Sequence, residues 1–269
     1  MKKIAILVLT VLVGLSLSAC KKQQKIDNSL EELKSRKVFV LGLDDSFPPM
    51  GFKNTDNEIV GFDIDLAKEV AERLGVEFKA QPIDWDAKEM ELATGKIDCI
   101  WNGLTITPER EEALAFTKPY LNNDQVLVVR ADSGYTKMED LAGKTVGVQS
   151  GSSAQDALNQ NEDFKASLKK VISFKDNLTA MNDLEIKGLD AVVMDSIVAS
   201  YDISMTGKPL AIVDGSLAKE AYGVAFRKND LKLRDAVQEI LVEMSKDGTV
   251  EAISRKWFGR DIAVIDDGE

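Results

Sequence analysis

Two stretches decide the fold: Val38-Phe39-Val40-Leu41-Gly42-Leu43, and Ile64-Asp65-Leu66-Ala67-Lys68-Glu69-Val70-Ala71-Glu72-Arg73-Leu74-Gly75-Val76-Glu77-Phe78-Lys79-Ala80. The first is apolar and β-branched enough to be a strand. In the second, Ile64, Ala67, Val70, Ala71 and Leu74 recur at helical spacing and share one face. Gly75 stops that helix, and residues 76–80 read as a second strand. Strand, helix and strand in succession is the unit from which α/β sheets are built.

The alternation continues outward. A helix is expected over 87–94 with Gly95 as its stop, and a strand over 97–101. Thr107-Pro108 opens another helix, with Thr as N-cap and Pro in the first turn. A second series follows, with strands at 125–130 and 144–149 and a helix entered through Gly151-Ser152-Ser153. A helix at 177–187, a buried strand at 189–194 and a helix at 195–205 complete it. The C-terminal part reads as a strand at 221–227, then an amphipathic helix with Val237, Ile240, Leu241 and Met244 on one face. A short helix then reaches Trp257-Phe258-Gly259. The pattern predicts two α/β lobes with mainly parallel sheets.

The N-terminus and the composition narrow the function classes. Met1-Lys2-Lys3 is basic, and the apolar run from Ile4 to Leu17 is shorter than the roughly 20 residues a bilayer span needs. This is the pattern of a signal peptide. Its ending, Leu17-Ser18-Ala19-Cys20, resembles a bacterial lipoprotein signal, in which Cys20 is lipidated and becomes the first mature residue. The other reading is an ordinary signal peptide with a chance cysteine. Residues 21–29 read as a polar, aperiodic tether. With 34 basic and 45 acidic residues, a net charge of -11, the chain is a poor partner for nucleic acid or an anionic membrane surface. The second cysteine, Cys99, reads as a small buried hydrophobe in a strand. Histidine is absent, which removes Ser-His-Asp and Cys-His mechanisms and most zinc sites. No P-loop, dinucleotide fingerprint or nucleophile elbow occurs, so neither a cofactor nor a metal is expected.

Ligands of open α/β sheets bind beyond the carboxyl ends of strands. After the first strand come Asp44 and Phe47. Phe47 is either a ring to stack on a ligand or a core residue of a turn, and Asp44 is a carboxylate acceptor. After the second comes Trp85, either the wall of a site or a packing residue. After the third, Gly103 permits close approach of a ligand to the backbone, and Thr105 brings a hydroxyl. Arg110 sits early in a helix, where the dipole disfavours a cation. It either serves a bound carboxylate or is simply exposed. Ser152 opens a helix whose free N–H groups suit an anion, or it only caps that helix. Asp195, after the strand at 189–194, could bind an ammonium or cap the next helix. Together these residues describe a site for a zwitterion.

Several motifs carry a resemblance. Phe47-Pro48-Pro49, Gly61-Phe62-Asp63-Ile64-Asp65-Leu66-Ala67, Leu104-Thr105-Ile106-Thr107-Pro108-Glu109-Arg110, Leu141-Ala142-Gly143-Lys144-Thr145-Val146-Gly147-Val148, Tyr222-Gly223-Val224-Ala225-Phe226 and Lys256-Trp257-Phe258-Gly259 resemble, in order, the polar amino-acid-binding proteins of ABC importers. The resemblance implies a periplasmic-binding-protein type II fold, in which two doubly wound sheets are joined by two hinge strands. Lobe 1 would comprise 30–119 plus 223–269, lobe 2 125–217, and the hinges 120–124 and 218–222. It further implies that Asp195 holds an α-ammonium, and that Arg110, with backbone at Gly103, Thr105 and Ser152, holds an α-carboxylate. Phe47 and Trp85 would sandwich the side chain, and Asp44 would read its far end. Asn102 and Gly103 depart from the Ser or Ala next to Ser or Gly of many members, Gln149 stands where glutamine binders carry Lys, and Trp101 is large for its strand.

The expected function is that of an extracytoplasmic, lipid-anchored, monomeric binding component, not an enzyme, that passes one amino acid to an ABC permease and its ATPase. A dehydratase on the same fold and a ligand-sensing domain are the alternatives. For the substrate, Asp44 has Asp45, Asp84 and Asp86 near it in sequence, and Arg110 is the only cation that the sequence places there. Acidic side chains would be buried unpaired. Arginine and lysine are expected first, and glutamine or cystine second.

Overall fold

The computed structural model describes residues 26–265. The signal peptide, Cys20 and residues 21–25 of the expected tether lie outside them. Helix α1 (Ser29–Arg36) begins inside the stretch read as tether. The chain is already docked at Asp27, whose Oδ2 accepts from the Lys232 N–H at 2.7 Å. Next come β1 (Val38–Leu43) and a small antiparallel ribbon of β2 (Ser46–Phe47), β3 (Gly51–Lys53) and β4 (Ile59–Val60). Then come α2 (Phe62–Leu74), β5 (Glu77–Pro82), α3 (Lys88–Ala93), β6 (Cys99–Ile100), α4 (Pro108–Ala113) and β7 (Leu114–Phe116).

Strand β8 (Leu121–Arg130) carries the chain into a second sheet. It is followed by β9 (Thr145–Gln149), α5 (Ser153–Gln160), α6 (Glu162–Ser167), β10 (Lys170–Phe174), α7 (Asn177–Glu185), β11 (Ala191–Asp195), α8 (Ser196–Thr206) and β12 (Leu210–Ile212). Strand β13 (Ala218–Tyr222) leads back to β14 (Ala225–Arg227), α9 (Leu231–Lys246) and α10 (Thr249–Phe258).

The first sheet has the order β5-β1-β6-β14-β7, and the second has β10-β9-β11-β8-β12 with β13 also on β8. Each holds three parallel strands, β5-β1-β6 in one and β10-β9-β11 in the other. The remaining strands are antiparallel to their neighbours, so the sheets are more mixed than expected. Much of the antiparallel pairing comes from strands that carry the chain between the sheets: β8 and β13 pair with each other, and β14 returns between β6 and β7.

The stretch 221–227, read as one strand, is two. Tyr222 closes β13 in the second sheet and Ala225 opens β14 in the first. Gly223 at the break has no room for a side chain, because a Cβ there would stand 2.8 Å from Ile106 Cδ1.

The long helices follow their apolar periodicity. Helix α2 buries Ile64, Ala67, Val70 and Ala71, and Gly75 closes it in the left-handed conformation with φ 72°. Helix α9 buries Val237, Ile240, Leu241 and Met244, as expected, together with Leu233. Each of the larger aliphatic side chains among them contributes about 1.5–3 kcal/mol by leaving water. Cys99 is fully buried and unpaired.

Candidate functional site

Strands β1, β6, β9 and β11 end on the seam between the two sheets. Asp44, Phe47, Trp85, Asn102, Gly103, Thr105, Arg110, Gln149, Ser152 and Asp195, all singled out in the sequence, line one cavity there, together with Ser153. The two lobes touch around it. Gln149 Nε2 donates to Asp44 Oδ2 at 2.8 Å, Lys88 Nζ donates to the Gly151 carbonyl at 2.8 Å, and the hydroxyls of Thr105 and Ser153 are 2.9 Å apart. Outside the cavity, the rings of Phe52 and Tyr201 lie 6.5 Å apart. The cleft is closed.

Arg110 is 7% exposed. The Thr107 hydroxyl caps α4 by accepting from the Arg110 N–H at 3.2 Å. Its Nη1 donates to the Thr105 carbonyl at 2.9 Å, and it has no ion-pair partner among the described residues. Burial lowers its pKa. A buried guanidinium without a carboxylate is costly, and a bound anion would relieve that cost. The N–H groups of Thr105 and Ser152 also have no acceptor among the described residues.

Asp195 is 5% exposed, and its side chain does not cap α8, which excludes one of its two expected roles. Oδ1 accepts from Asn123 Nδ2 at 2.7 Å, Gln125 Nε2 at 2.9 Å and the Tyr222 hydroxyl at 2.6 Å. Oδ2 has no protein donor and is not sealed from the cavity. Burial, and then the charge of Glu220, push Asp195 up to about 7. The arrangement provides an acceptor for a cation.

One expectation needs correction. The Gly103 N–H, expected to bind a carboxylate, is taken by Asp63 Oδ2 at 2.8 Å. This oxygen also accepts from the Tyr120 hydroxyl at 3.0 Å, and complete burial pushes Asp63 up to about 7. Gly103 is held at φ 59°, with Phe47 Cε1 3.0 Å from where a Cβ would stand, so what it offers a ligand is its carbonyl. Among the described residues Arg110 is the only cation on the cavity lining, but a second one stands close behind it. Lys88 is 5% exposed, donates also to the Trp85 carbonyl at 3.2 Å, and holds its Nζ 5.2 Å from the centre of the Trp85 ring. Burial, and then the charge of Arg110, push Lys88 down to about 8.

At the other end, Asp44 Oδ1 accepts from the Ser46 N–H at 2.9 Å, and Asn102 Oδ1 accepts from the Asp44 N–H at 3.1 Å. Asn177 Nδ2 steadies Gln149 through its Oε1 at 3.2 Å. Burial raises the Asp44 pKa against these hydrogen bonds. Phe47 and Trp85 are both buried. Of the neighbouring acids, Asp45 is paired with Lys53 at 2.6 Å, and Asp84 caps the turn at Trp85. The Ser152 hydroxyl does cap α5, accepting from the Gln155 N–H at 3.2 Å.

Sequence reasoning missed Ser153, Lys88, Asn123, Gln125 and Glu220. The last three face one another from β8 and β13, and a strand pattern does not reveal which strands pair. Asp63 was legible only as a letter of a motif.

The chain has known relatives. It is 34% identical over 235 residues to the L-cystine-binding protein TcyJ of Escherichia coli, covering 87% of each chain. It is 31% identical over 263 residues to the arginine-binding extracellular protein ArtP of Bacillus subtilis, covering 96% of this chain and 98% of that one. The fold superposes with a TM-score of 0.86 on an ABC uptake transporter substrate-binding protein from Streptococcus pneumoniae with bound histidine, 39% identical, covering 88% of this chain and 98% of that one. Residues 39–260 match the model of the bacterial extracellular solute-binding proteins, family 3, and the chain belongs to that family.

Proposed function

We propose that this chain captures one free amino acid outside the cytoplasm, holds it between the two lobes, and hands it to an ABC permease driven by its ATPase. The carrying observation is the pair of opposite charges on one cavity: Arg110, buried without an ion-pair partner, and Asp195, whose Oδ2 lacks a donor. An α-carboxylate would sit on Arg110 and the N–H groups of Thr105 and Ser152. An α-ammonium would sit on Asp195, with the Gly103 carbonyl as a further acceptor. Phe47 and Trp85 would flank the side chain, and Asp44, Asn102 and Gln149 would read its end. Residues 120–124 and 218–222 would act as hinges between lobe 1 (30–119 plus 223–269) and lobe 2 (125–217). The protein would work as a monomer, anchored to the cell membrane through lipidated Cys20.

Relatives that bind cystine, arginine and histidine support an amino acid as the ligand. Asp44 favours a basic side chain, so arginine and lysine rank first and glutamine or cystine second. A cation between Trp85 and Phe47 would also gain from the ring faces. The test is a thermal-shift screen of the twenty amino acids and cystine on refolded protein, followed by calorimetry. A ligand at 100 times its Kd adds about 2.7 kcal/mol of stability. Arginine or lysine should bind most tightly, and tightest binding of glutamate would refute the charge argument.

A further inference from the structure

Glu220 lies on β13 opposite Asn123 of β8. Its Oε2 gathers donors from both lobes and from the strand pair between them. Thr105 Oγ1 is at 2.8 Å, Gln125 Nε2 at 2.9 Å, and Asn123 Nδ2 and Ser153 Oγ at 3.3 Å each. Thr105 and Ser153 line the cavity.

Counting protons fixes what these two hydroxyls offer a ligand. A hydroxyl carries one proton and two lone pairs, and a carboxylate only accepts. The Thr105 proton is therefore given to Glu220. Ser153 has two acceptors for its own proton, Thr105 Oγ1 at 2.9 Å or Glu220 Oε2, because its third neighbour, Gln125 Nε2 at 3.3 Å, is a donor. Both protons are used inside the cluster, and toward the cavity the two oxygens present lone pairs. Asp195 Oδ2 adds a further acceptor to the same wall.

We infer that Glu220 is a positioning residue for amine recognition: it takes the hydroxyl proton of Thr105, draws that of Ser153 into the same cluster, turns both oxygens into acceptors beside Asp195, and so makes the cavity select ligands that carry a protonated amine. The inference deepens the amino-acid reading of the site and rests on it. Without the Glu220 carboxylate the Thr105 hydroxyl would be free to rotate and to spend its proton on Ser153 or on the ligand, and the preference for a donor would fall.

The experiment is calorimetry on wild type, Glu220→Gln, Glu220→Ala, Thr105→Val and the Glu220→Gln/Thr105→Val double variant. The probes are L-arginine and its des-amino analogue 5-guanidinopentanoate, with L-cystine and L-histidine in parallel. Unliganded melting of each variant reports on folding, and Glu220→Gln keeps the size of the native side chain should the alanine variant unfold. Each Glu220 variant should weaken amino-acid binding by ~10-fold, the scale of one misdirected buried hydrogen bond. Glu220→Gln should add little once Thr105 is valine, since the two changes act on one interaction. The preference for arginine over 5-guanidinopentanoate should drop with the affinity. Unchanged affinity in both Glu220 variants, strictly additive effects, or equal loss for arginine and the des-amino analogue would each overturn the inference. A wild type that binds none of the twenty amino acids and not cystine would overturn the amino-acid reading, and this inference with it.

Discussion

Replacing Arg110 by alanine should separate stability from affinity. In the closed structure its guanidinium is buried, gives one side-chain hydrogen bond, to the Thr105 carbonyl at 2.9 Å, and has no carboxylate partner among the described residues. Truncation gives up that bond, worth about 1.5–3 kcal/mol for a charged donor. It also relieves the burial of an unpaired cation, a penalty of several kcal/mol. The two effects oppose each other, so the unliganded variant should be as stable as wild type to within about 1 kcal/mol, or more stable. On the ligand side nothing opposes the loss. Removing one partner of a buried charge pair costs about 2 kcal/mol or more, so Kd should weaken at least ~30-fold. Arg110→Lys should fall between the two, because it keeps the charge and loses the fork. Chemical denaturation without ligand and calorimetry with arginine, cystine and histidine measure the two sides. An unchanged Kd would refute the assignment of the carboxylate end. An equal loss of unliganded stability would reduce Arg110 to a structural residue.

Three further outcomes are expected. Asp195, pushed up to about 7 by burial and then by Glu220, must lose its proton to pair with an ammonium. Amino-acid affinity should therefore tighten from about pH 5 to 7.5 and then level off, and Asp195→Asn should bind ~10-fold more weakly with no such slope. A flat wild-type profile between those limits would count against the role. Asp63, also pushed up to about 7 by burial, holds its proton more tightly folded than at its ordinary value of 3.8. Its contribution to stability is full below the ordinary value and is lost as pH rises through 7, so the unliganded stability of Asp63→Asn relative to wild type should climb across that window. A difference independent of pH would show that Asp63 is ionised throughout. Finally, Cys20→Ser should abolish metabolic labelling by palmitate and either release the protein or leave it as precursor, and a variant that still labels would exclude Cys20 as the anchor.

The legible parts of the fold are those whose apolar period coincides with a packing face. Helices α2 and α9 bury the residues their spacing marks. Strands β2 and β4 have two residues each, too few for any period to register. Strand β10 is only half buried, and its alternation is correspondingly weak. The stretch 221–227 reads as one strand because both of its halves are strand; what divides it is a change of sheet, which is a property of partners. The site follows the same division. Asp44, Gly103, Gln149 and Asp195 stand at or just beyond strand ends and can be found by counting from them. Lys88 lies on a short helix whose spacing gives no hint that it is 5% exposed. Glu220 gains its contacts only when β13 pairs with β8.

The placement of β14 also governs the order in which the chain can fold as it emerges. Every strand of the second sheet lies between Leu121 and Tyr222, so that sheet can form from one continuous segment. The first sheet cannot. Its β6 and β7 are not paired with each other; both are held by β14, where Ala225 meets Ile100 on one side and Phe116 on the other. About a hundred residues must emerge between β7 and the strand that joins it to β6, and such long-range closure is slow. Until then β7 has no strand partner and exposes a ready edge for wrong pairing. The N-terminal half of the protein is thus made first and finished last, and a chain cut before Ala225 would lack the strand that closes its first sheet.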